Sequence, residues 1–221
     1  MANDVHQLRA AWSRVAAACG LPQQYADSFA QVLRAWSVAE ASEAQRQSLA
    51  RSFEGLGLLV HRASEPAAVA LALGLRCVAA RPGVPEADLS RAATGLATQI
   101  CADFPHSAHT AWLSGVPGAS TVWMPPDGDA ELLSDLERLW FGDPAPAYRQ
   151  HADAQACGSA GLPCEHRQRA RLKALGQIVD SGTIYFTPEC RSELEGRAFL
   201  NLSLEIAAWR SKLERRAHMG C

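Results

Sequence analysis

The sequence predicts a mainly α-helical protein, with an N-terminal five-helix bundle followed by a smaller C-terminal part of helices and a few short strands. Two observations carry this. Apolar residues recur 3 and 4 positions apart through most of residues 1–104, the period of a helix with one buried face. Between 105 and 120 that period fails and Gly, Pro, Ser and His dominate, which places a boundary there and divides the chain into 1–104 and 105–221. The chain has 221 residues, 48% hydrophobic and 20% charged, enough to bury a core without disulfides.

The first helix follows from Val5, Leu8, Trp12, Val15 and Cys19, with Asn3 or Asp4 as cap and Gly20 and Pro22 as its end. Tyr25, Phe29, Val32, Leu33 and Trp36 repeat the pattern. Ser42 and Gln45 form a capping box, in which hydroxyl and amide each satisfy a backbone donor, and open a third helix through Leu49 and Phe53. Gly55 and Gly57 then weaken the helix, leaving 57–60 readable as a short strand. Pro66 suits the first turn of a fourth helix, whose residues from Ala67 to Ala80 are apolar nearly all round and so belong at the centre. Leu89, Ala92, Leu96, Ile100 and Phe104 give the fifth.

In the second part, 121–124 reads as a short strand. Acids from Asp127 to Glu131 then open a helix carrying Leu132, Leu136 and Leu139, with Gly142 as its stop. Residues 143–165 read as irregular. A helix from about His166 to Val179 precedes Thr183–Thr187, whose β-branched and aromatic content favours a strand. Phe199, Leu202, Ile206, Trp209 and Leu213 make a helical seam, although 200–206 also alternates apolar and polar as a strand would; Leu, Glu and Ala favour the helix. The seam is too short for a coiled-coil assignment, so self-association is a secondary reading.

Charge and cysteines narrow the function. The net charge of −2 gives no global attraction to nucleic acid or acidic lipid. It is polarised along the chain, however: 120–165 carries eight acids against two Arg, a net of −6, and 166–221 ten bases against six acids, a net of +4. Seven cysteines cannot all pair with one another. No basic stretch followed by an apolar run opens the chain and none is long enough to span a bilayer, which predicts a cytoplasmic protein with reduced thiols and no membrane partner. Cys19, Cys77 and Cys101 sit in apolar helical settings.

The candidate metal ligands are Cys157, Cys164, His166 and Cys190, with His151 as an alternative fourth. Zinc takes four such N or S donors in a tetrahedron, and a metal would order a segment otherwise read as loop. The spacing is not that of a CxxC knuckle, so unconnected thiols and surface imidazoles are the simpler reading. Arg167, Arg169, Arg171 and Lys173 follow directly and form the candidate nucleic-acid contact, since Arg offers a bidentate fork to phosphate; a solvated helix face is the simpler reading here too. His106, His109 and Trp112 mark a candidate small-molecule pocket between the two parts. Trp12, Trp36 and Trp209 fall on apolar helix faces and read as core, whereas Trp112, Trp123 and Trp140 fall at ends or in loops.

The serine-hydrolase elbow, the P-loop and the dinucleotide fingerprint are all missing from the sequence. The sequence therefore points first to a non-enzymatic interaction or regulatory protein, a subunit that binds a protein partner. A zinc-stabilised subunit associated with nucleic acid is the second reading, and a small-molecule sensor or enzyme the third.

Overall fold

The computed structural model describes residues 2–39, 41–79, 128–157 and 164–219. Among them are eight α-helices and no strand: α1 (Ala2–Ala18), α2 (Gln23–Ala39), α3 (Glu43–Leu59), α4 (Pro66–Ala79), α5 (Gly128–Arg138), α6 (Ala145–Cys157), α7 (Cys164–Asp180) and α8 (Pro188–Met219). Short 3-10 turns, Val60–Arg62 and Leu139–Gly142, extend α3 and α5. The chain divides into two compact units, 1–137 and 138–221.

In the first unit α1 packs on α2, α3 and α4. Leu8, Trp12 and Val15 are buried as their spacing requires, and the Trp12 ring meets Phe29 edge-on at 4.7 Å and Phe53 at 5.2 Å. The indole N–H donates to the Ala26 carbonyl at 2.9 Å, so the ring is buried without an unsatisfied donor. α1 ends in a Schellman motif: Leu21 N–H reaches back to Ala16 and Gly20 N–H to Ala17, with Gly20 at φ +65°, where a side chain would be strained. Asn3 and Asp4 lie inside the helix rather than at its cap.

The Ser42–Gln45 capping box is present in both halves. Arg46, almost fully buried, donates to the carbonyls of Ser37 and Ala41, a cation placed on the negative end of α2. Gly55 and Gly57 do not end α3, which continues to Leu59, so the strand expected at 57–60 is corrected to helix. The buried Phe53 and Leu56 hold that turn against its low intrinsic propensity. α4 is the central helix, buried continuously from Ala68 to Leu75. Its N-terminus is capped from afar: the Asp129 carboxylate accepts from Ser64 N–H at 2.6 Å and Glu65 N–H at 2.9 Å. Ser52 Oγ donates to the Leu136 carbonyl at 2.8 Å and ties α3 to α5. The expected fifth helix at 89–104, the strand at 121–124 and the boundary at 105–120 lie outside the described residues.

The second unit corrects two expectations. Residues 145–157 are helical rather than irregular. Pro144 and Pro146 stand just before and in the first turn, where the missing N–H costs nothing, and the alanines that follow favour the helix. Residues 183–187 form an irregular connection rather than a strand. Ile184 and Tyr185 are fully buried, and their β-preferring character serves packing, while their N–H groups are satisfied by a side chain instead of a ladder. The helical reading of 199–213 holds, inside the 32 residues of α8.

Among the described residues no helix is long and apolar enough to cross a membrane.

Candidate functional site

α8 organises its unit by holding the other segments through polar side chains along its length. Arg191 donates to the Tyr185 carbonyl from Nε and Nη2 at 3.2 Å. One turn on, the Glu195 carboxylate accepts from the N–H groups of Ile184 and Tyr185 at 2.9 and 3.0 Å. Arg197 donates to Gly142, and Asn201 Nδ2 to both Phe141 and Asp143 at 2.8 Å, which satisfies the carbonyls at the end of the 3-10 turn. Gly142 is needed for this approach, because a Cβ there would lie 2.6 Å from Leu194 Cβ.

Glu205 ends the series and joins three segments. Its carboxylate accepts from the Tyr148 hydroxyl of α6, from Nε and Nη2 of Arg171 on α7, and from the Trp209 indole at 3.1 Å. The Glu205 side chain is 8% exposed and that of Arg171 19%. Burial by itself would raise the Glu205 pKa, but the hydrogen bonds and charge of Arg171, with the Tyr148 and Trp209 donors, bring it below the usual carboxylate value. Burial, followed by the hydrogen bond to Glu205 and then the Glu205 charge, pushes the Tyr148 hydroxyl well above its ordinary range. A carboxylate held ionised by a bidentate guanidinium, beside a phenol held neutral, ties α6, α7 and α8 together.

Trp140, expected at an end or in a loop, does lie in the 3-10 turn after α5, and there it is the aromatic centre of this unit. It is 8% exposed, stacked on Tyr148 at 5.4 Å, close to His151 at 4.3 Å, with the Arg171 guanidinium 5.7 Å from its ring. Trp209, expected in the core, is only partly covered: its face carries Lys212 Nζ at 4.4 Å.

Beside this frame, and lined in part by its Tyr148, Asn201 and Glu205, lies a groove of about 440 Å³ between α6 and α8. Ala145, Ala152 and Ala208 make its walls shallow, Trp209 and Leu204 supply apolar surface, and Arg149, Asp153 and Lys212 bring charge to it. Leu204 is 59% exposed and Leu200, one turn earlier, equally so. The sequence contained the sign of this surface, since Leu200 and Leu204 fall off the seam Phe199–Leu213; only the packing shows that they face outward.

The expected sites are distributed differently. Arg171 is turned inward onto Glu205, whereas Arg169 and Lys173 are exposed, so these three do not form one free cationic face. Cys190 is buried at 5% exposure in the first turn of α8, a burial the sequence did not suggest. Cys157 ends α6, and Cys164 and His166 start α7; their side chains, like that of Arg167, lie outside the described residues. Among the described residues no three His, Cys, Asp or Glu side chains gather as a metal site would require. His106, His109 and Trp112 also lie outside them. Cys19 is buried, and the loss of solvation pushes its thiol up to about 11, which keeps it protonated and unreactive at neutral pH.

No known protein family, curated protein or solved structure matches the chain.

Proposed function

We propose that this is a non-enzymatic interaction protein that binds another macromolecule through the outer edge of α8 and the groove beside it. The observation that carries this reading is the pair Leu200 and Leu204, each 59% exposed one turn apart on a helix that Arg191, Glu195, Asn201 and Glu205 anchor within its unit. Scattered single apolar residues on a surface need no explanation, but an apolar pair continuing into a groove walled by small residues is a form that accepts a helical segment. The rigid frame favours binding, because little side-chain freedom beneath the groove remains to be lost.

Placing a photoreactive phenylalanine at Leu204 in cells tests this. The expected outcome is one discrete adduct whose identified partner, once purified, binds saturably to the wild type and not to Ala208→Arg. No adduct, or a partner that binds Ala208→Arg equally well, would overturn the reading.

A further inference from the structure

The outward face of α8 carries a pattern that is symmetric along the sequence. Counting from Leu204, the exposed residues Glu193, Arg197 and Leu200 lie 11, 7 and 4 positions before it, and Ala208, Ser211 and Arg215 lie 4, 7 and 11 after it. At 3.6 residues per turn all seven fall within an arc of about 80°. The spacing 4-3-4 repeated is an 11-residue period, at which a stripe runs almost straight along a helix instead of drifting round it.

We propose that a second copy of this chain docks on this face, with its α8 antiparallel to the first and a two-fold axis through Leu204. This deepens the interaction reading above, and rests on it, by naming the occupant. In that arrangement every member of the stripe meets another member. Leu204 meets its own symmetry mate, Leu200 meets Ala208, and the stem of Arg197, whose guanidinium stays on the Gly142 carbonyl, meets Ser211. Glu193 meets Arg215 at both ends, so opposite charges close the apolar centre. A parallel arrangement would instead set Glu193 on Glu193, Arg197 on Arg197 and Arg215 on Arg215. Charge therefore selects the antiparallel form.

The paired stripe is about 33 Å long and one helix wide, less than the area that permanent interfaces bury, so the dimer exchanges with monomer as concentration changes. It covers Leu204 and Ala208, which also line the groove, and so competes there with any other occupant.

Sedimentation across low-micromolar to sub-millimolar concentrations tests this on the full chain. The wild type is expected to show monomer–dimer exchange. Glu193→Arg alone and Arg215→Glu alone should each weaken it about tenfold, because two exposed pairs swing from attraction to repulsion. The double reversal Glu193→Arg/Arg215→Glu should restore it. Under mild oxidation Leu204→Cys should give a disulfide-linked dimer above the wild-type background. Ser192→Cys should not, since its two copies would stand about 36 Å apart along the helices. Circular dichroism confirms that each variant keeps its helices. A chain that is monomeric throughout, or a double reversal no better than the single ones, overturns the second copy as occupant. An adduct at Leu204 with a different protein would leave the interaction reading standing in that case; no adduct and no dimer would remove both.

Discussion

Glu205 illustrates how competing effects on one carboxylate are decided. Burial opposes its charge, yet Arg171, Tyr148 and Trp209 together favour it, and the folded-state pKa falls below that of the unfolded chain. Its ionised form therefore stabilises the fold above the ordinary glutamate value of 4.5, and this contribution disappears as pH falls through the lowered folded value. Glu205→Gln is expected to cost about 2 kcal/mol at neutral pH, the worth of hydrogen bonds to a charged group. In urea unfolding at a series of pH values, the gap between wild type and variant should be constant above about pH 6 and narrow in acid. A gap independent of pH would contradict this account. Two glycines give a second contrast. A Cβ at Gly74 would lie 2.3 Å from the Phe29 ring, whereas at Gly57 it would meet nothing within 4 Å. Gly74→Ala should therefore destabilise by about 1–3 kcal/mol through overpacking. Gly57→Ala should stabilise by up to about 1 kcal/mol, because it only improves helix propensity. Thermal or urea melts of the two variants should move in opposite directions.

At the scale of elements, helices were legible and their partners were not. The buried positions of α1 and α2 and the cap of α3 follow from local spacing and local chemistry, which require only nearby residues. The segment 183–187 shows where such reasoning fails. Its composition suits a strand, but a strand needs a neighbour, and here Glu195 takes the two N–H groups that a neighbour would have bonded. Glu195→Ala leaves both donors without that acceptor beside fully buried side chains, a loss of about 2–3 kcal/mol. Hydrogen exchange at Ile184 and Tyr185 should accelerate in this variant and not in Glu214→Ala. Unchanged exchange in Glu195→Ala would show that the carboxylate does not hold the segment. α6 is illegible for another reason: Tyr148 is its one large apolar residue, so no apolar period marks the helix.

For the molecule as a whole, composition and period determined that the chain is mainly helical, because a 3.6-residue repeat of apolar side chains is satisfied by little else. They also determined which faces of α1 and α2 are buried. The tertiary structure decided what the polar residues do. Arg171 belonged by spacing to a row of free cations, yet it is bonded to a carboxylate 34 positions away; Asp129, read as serving its own helix, caps α4 from 64 and 65 positions away. Leu200 and Leu204 were ambiguous in the same manner, since alternation along 200–206 is compatible with either face until neighbours cover one of them. The physical reason is range. Hydrophobic periodicity is written in consecutive residues, whereas a hydrogen bond or an ion pair is specific only once two distant segments lie within about 3 Å of each other.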